Sequence, residues 1–179
     1  MISVARRCVA LAVLFSLAAC SPKYDWRDVH GSNSPFAVTM PGKPSEYTRP
    51  VQLDQMKANM TMTATQVDGA TFAVGAAELP DAAKAQAALT IMQTALVKNI
   101  DGKISKTKTI TQTTPKDPYP YTEIEAAGIQ QIYGKTAPVL LLGRFVAVDK
   151  RVYQVIVAGE GSPAMREAAE TFLTSFKPN

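Results

Sequence analysis

Glu123 and Glu125 stand two residues apart in the run YTEIEAA, residues 121–127. On a strand, residues i and i+2 share a face, so both carboxylates would line one surface together with Tyr121. Paired carboxylates are the equipment of general acid–base catalysis, which gives an envelope hydrolase as one reading. The preceding segment offers a plainer account. If residues 103–111 and 121–127 pair antiparallel around the proline-bearing stretch 113–120, Lys108 opposes Glu123 and Lys106 opposes Glu125. Opposite charges facing across strands contribute about 0.2–1 kcal/mol each. This structural account is preferred to catalysis, so the chain is expected not to be an enzyme.

Two other constellations invite chemistry. Met56, Met60 and Met62 fall on one face of an alternating segment, with Met40 as a possible neighbour. Thioethers are soft ligands suited to Cu(I), so a Met-based copper protein is an alternative. Methionine also fills irregular core gaps, and a buried face predicts the same alternation, so no metal site and no cofactor are expected. The run GIQQIYGKT, residues 128–136, ends in Gly-Lys-Thr. Ile129 occupies the place of the first glycine of a phosphate-binding loop, and no helix pattern follows, so no nucleotide cradle is expected. Residues 128–138 read instead as an exposed loop, of the kind that carries partner contacts. Tyr119, Tyr121 and Tyr133, on or beside the two loops, are the candidate partner-binding anchors, since Tyr presents apolar area with a polar tip.

The amino terminus says how such a surface would be held. Arg6 and Arg7 precede an apolar run from Val9 to Leu17, followed by small residues and Cys20. A charged start, a short apolar core and a small-residue junction describe a secretory signal. The run is too short to span a bilayer, which needs about 20 apolar residues. The Leu17-Ala18-Ala19-Cys20 junction resembles the lipobox of bacterial lipoproteins. That resemblance implies cleavage before Cys20, a diacylglycerol thioether on its sulfur and acylation of its new amino group. Ser21 after the cysteine, in place of Asp, implies the outer membrane rather than the inner one in enteric-type bacteria.

Removal of the leader has consequences for the rest. Cys8 departs and Cys20 carries lipid, so the domain holds no free thiol, which excludes cysteine nucleophiles, disulfides and Cys-based zinc sites. His30 is the only histidine, so an ordinary Ser-His-Asp triad or a His-cluster metal site has no support. Losing Arg6 and Arg7 lowers the net charge of +4 by two, and no nucleic-acid partner is expected.

The elements that must position these residues are legible in turn. Residues 1–19 are the signal and 20–34 a lipidated tether, in which Tyr24 and Trp26 are expected to dock on the domain; 35–179 form one domain. Phe36–Met40 reads as a strand stopped by Pro41-Gly42-Lys43-Pro44. Met56–Thr65 alternates as a half-buried strand with a wet Lys/Asn/Thr face, and Asp68-Gly69 supplies a hairpin turn. Asp81 caps a helix with a stripe of Ala85, Ala88, Leu89, Met92, Leu96 and Ile100, ended by Gly102. Strands follow at 103–111, 121–127, 139–148 and 151–158, the third apolar enough to be covered on both faces. Ser162-Pro163 opens a final helix with Met165, Ala168, Ala169, Phe172, Leu173 and Phe176 inward.

This order predicts an α+β domain, an antiparallel sheet flanked by two main helices. The runs FAVTMPGKP, RVYQVIVAG and AAETFLTSFK resemble edges of the PsbP-like α/β/α sandwich, a superfamily that includes DcrB-type bacterial lipoproteins. The resemblance covers roughly residues 36–177 and implies a non-enzymatic binding or assembly protein. The expectation is therefore a membrane-anchored periplasmic module whose partner is an envelope protein or a small ligand.

Overall fold

Two tight turns and two helix caps fix much of the path of the chain. In the computed structural model, which describes residues 23–32, 34–53, 56–112, 118–132 and 134–179, the strands are β1 Arg27–His30, β2 Phe36–Met40, β3 Ser45–Leu53, β4 Met56–Val67 and β5 Ala70–Glu78. Helix α1 Ala82–Asn99 follows, then β6 Lys103–Gln112, β7 Tyr119–Ile132, β8 Lys135–Val148, β9 Arg151–Gly159, helix α2 Pro163–Ser175 and β10 Lys177–Pro178. Asp68 (φ 52°) and Gly69 (φ 73°) both take the positive φ that a tight β4–β5 hairpin requires. Asp149 (φ 51°) does the same between β8 and β9. The Asp81 carboxylate accepts from the Lys84 amide at the start of α1, and the Ser162 hydroxyl from the Met165 amide at the start of α2.

Seven strands form one antiparallel sheet in the order β3-β4-β5-β9-β8-β7-β6, and β1-β2-β10 form a second. One face of the large sheet packs Met60, Met62, Ala73, Leu141, Phe145 and Ile156 against Ala85, Ala88, Leu89 and Met92 of α1. The other packs Phe72, Val74, Tyr153, Val155 and Val146 against α2 and against Phe36, Val38 and Met40 of β2. The helices stop where their apolar stripes stop, since propensity alone holds short helices only marginally.

The expected sheet flanked by two main helices is therefore overturned. The fold is predominantly β, with ten strands in two antiparallel sheets among the described residues, and a second sheet covers much of the face assigned to a helix. The PsbP-like sandwich implied by the edge motifs falls with it. The physical reason is that β1 and β10 are only four and two residues long and polar, and gain stability by pairing with β2 from opposite ends of the chain. No local pattern announces such strands.

Three smaller expectations change. Thr61, Thr63 and Thr65 are buried rather than wet, because they sit opposite Ala76, Val74 and Phe72 on the face toward the second sheet. Residues 128–132 and 135–138 are not a loop: β7 and β8 pair continuously from Gly128↔Val139 to Ile132↔Lys135. The left-handed residue ending α1 is Asp101 (φ 45°), not Gly102. Tyr24 packs at the edge of the core beside Trp26, its hydroxyl 3.4 Å from the Ala164 carbonyl oxygen. The lipobox and Cys20 lie outside the described residues.

Candidate functional site

β7 brings Tyr121, Glu123 and Glu125 to one face, as residues two apart must be. The β6 register sets Lys108 opposite Glu123 and Lys106 opposite Glu125, as expected from the sequence. On the other side β8 sets Arg144 opposite Glu123. Helix α2 lies over β5, β8 and β9 of this face and leaves the β6–β7 floor open. Between floor and helix runs a groove of about 490 Å³, walled by Arg166, Glu170, Leu173 and Thr174.

Arg144 is the organising residue of the groove. It is 4% exposed, in the otherwise apolar run LLLGRFVAV. A buried charge is tolerable only when paired and hydrogen-bonded. Its Nε and Nη2 donate to Glu123 Oε1 at 3.2 and 2.8 Å, and the guanidinium lies 4.1 Å from the Tyr121 ring centroid. The ring face attracts the cation while the carboxylate neutralises it. Two residues along, Glu125 Oε1 accepts from Arg166 at 3.1 Å and Oε2 from Lys106 at 3.0 Å. These two cations hold the Glu125 carboxyl below the usual carboxylate range. Lys108 makes no ion pair with any described residue.

The sequence-predicted tyrosines part company here. Tyr121 floors the groove and is 7% exposed. Tyr119, 9% exposed, belongs to the core, where burial raises its pKa. Tyr133 lies outside the described residues. Met60 and Met62 share the α1-facing core with Met92, and Met56 packs against it, whereas Met40 is on the opposite side of the large sheet. Met62 Sδ is 3.7 Å from the Gln154 amide nitrogen. Among the described residues no group of three or more His, Cys, Asp or Glu side chains could hold a metal ion.

Sequence reasoning missed Arg144 and Arg166. Arg144 had a signal: a lone charge inside a strand covered on both faces demands a partner on the next strand. Arg166 had none, because its partner is set by how α2 crosses the sheet.

No family model matches the chain, and no curated protein matches it. Among solved structures, the extracellular domain of PknH from Mycobacterium tuberculosis aligns with 84% of this chain and 83% of that one, at 13% identity and a TM-score of 0.33. At that level of likeness the functional reading rests on the groove itself.

Proposed function

We propose that the protein is a non-enzymatic binding or assembly module, held at the bacterial cell envelope through lipidated Cys20, with the outer membrane favoured, and that the groove beside α2 is its ligand site. The observation that carries this reading is the state of the two carboxylates. A general acid working at neutral pH needs its pKa raised toward about 7. Glu125 is pushed the other way by Arg166 and Lys106, and Glu123 is occupied by Arg144. Such carboxylates hold cations in place rather than move protons. What remains on offer is an apolar lining of Tyr121, Leu142 and Leu173 rimmed by charge, the usual make-up of a binding site.

Site-specific photo-crosslinking in intact cells tests the reading. A crosslinker at Thr174, on the groove wall, is expected to give an adduct of defined mass, and one at Thr90, on the exposed side of α1, none. Equal labelling from both positions, or none from either, refutes the groove. In the same cells Cys20→Ala is expected to abolish lipid incorporation and release the protein from membranes; unchanged lipid labelling refutes the anchor.

A further inference from the structure

The large sheet ends in two unlike edges. At one, β3 carries Pro50, which cannot donate to a further strand, and charges of both signs in Glu46 and Arg49. At the other, β6 pairs only with β7 among the described strands and is ten residues long. Its only charged residues are Lys103, Lys106 and Lys108. A register shift interrupts it between Ile104 and Lys106, after which Lys106–Gln112 runs without a bulge or a proline. That run has an open row of backbone donors and acceptors, the feature that extended peptides recognise when they add a strand to a sheet.

We propose that this edge, Lys106–Gln112, accepts an acidic extended segment of a partner protein as an eighth strand, with its acidic side chains directed into the groove. The inference rests on the groove being the ligand site and names the ligand class. Charge decides the occupant. Lys106 and Lys108 share the groove face, and Lys108 has no described ion-pair partner. The Lys106 side chain is 74% exposed, and Glu125 keeps Arg166 if Lys106 turns toward a ligand. Carboxylates at alternate positions of an added strand meet both lysines, while the residues between them lie beside Thr107 and Thr109. A second copy is the wrong partner: β6 laid antiparallel along Lys106–Gln112 of another copy offers neither lysine a carboxylate and sets Lys108 diagonal to its counterpart, where long like-charged side chains repel.

The probe is a short fluorescent peptide alternating Glu and Thr, titrated by anisotropy against the full-length lipidated protein in neutral detergent. Two controls accompany it: the same peptide N-methylated at alternate residues, and its Lys–Thr counterpart. Saturable binding of the Glu–Thr peptide alone is expected, with the β6 amides gaining hydrogen-exchange protection. Lys106→Glu with Lys108→Glu is expected to weaken binding about tenfold or more. Equal binding of the N-methylated peptide overturns strand addition, because charge alone would then suffice. No binding, or binding indifferent to the lysine reversals, overturns it too. Dimers by light scattering whose β6 amides are already protected from exchange without peptide would hand the edge to a second copy and overturn the assignment. If the peptide fails while Thr174 still crosslinks, the groove stands and only its proposed occupant falls.

Discussion

Glu125 shows how a single side chain ties sheet to helix. Lys106 reaches it along the sheet and Arg166 reaches it from α2, so one carboxylate joins two elements that share no backbone hydrogen bonds. Because its pKa is lower folded than unfolded, the unfolded chain binds the proton more readily. The stabilisation is therefore complete above the unfolded value near 4.5, and fades as pH falls below it through the folded value. Glu125→Gln removes this term. The expected outcome is a variant less stable than wild type at pH 7 whose deficit shrinks on acidification through and below that value, read from urea midpoints. A deficit constant across that window would show that the two cations do not depend on the charge of Glu125. The neighbouring pair differs in kind: Arg144 is buried, and its stacking on Tyr121 needs a planar guanidinium that Lys does not supply.

At the scale of elements, the β7–β8 hairpin depends on a close backbone crossing. Gly128 lies against the end of α1, where a Cβ would sit 2.2 Å from the Ile100 carbonyl oxygen and 2.8 Å from Gly102 Cα. The next amide, Ile129, donates to that same carbonyl at 2.7 Å. Gly128→Ala must push the hairpin off the helix end, and a cost of about 1–3 kcal/mol is expected in urea unfolding. Loss of Ile129 amide protection by hydrogen exchange would accompany it; a variant of wild-type stability would mean that the crossing yields freely. This glycine also explains why the sequence misled at residues 128–138. Gly within an apolar run reads as the end of a strand, yet here it permits backbone approach while the strand continues to Ile132. Features set by neighbours in the chain were legible: Asp68-Gly69, the Asp81 and Ser162 caps, and the β6–β7 register that put Lys106 on Glu125. β3 was not, because nearly all its residues are exposed and Pro50 interrupts it, which leaves no apolar alternation to read. In the groove, Glu123, Glu125 and the Lys106 partner could be read from spacing, whereas Arg144 and Arg166, the other cations that define their state, arrive from β8 and α2.

For the whole molecule, the question is whether the second sheet is an integral layer or a flap. Phe36 answers through its contacts. It comes from β2 of the small sheet, and its ring centroid lies 5.9 Å from that of Phe176, just beyond α2, and 6.3 Å from that of Tyr153 on β9 of the large sheet. The Tyr153 hydroxyl donates to the Pro35 carbonyl oxygen at 2.9 Å, and the Asn179 amide donates to the same oxygen at 3.1 Å. Both ends of the described chain thus close over one aromatic cluster, which argues for a single cooperative unit. Phe36→Ala is expected to cost about 3–5 kcal/mol, the range for deleting a buried aromatic ring. The single tryptophan makes the test local, since Trp26 sits immediately before β1 and packs on Tyr24. Urea unfolding followed by Trp26 fluorescence and by far-UV circular dichroism should give coincident transitions, and Phe36→Ala should move both by the same amount. A fluorescence transition that shifts alone would mean that the small sheet detaches first. The groove would then be walled by a helix with one side able to open.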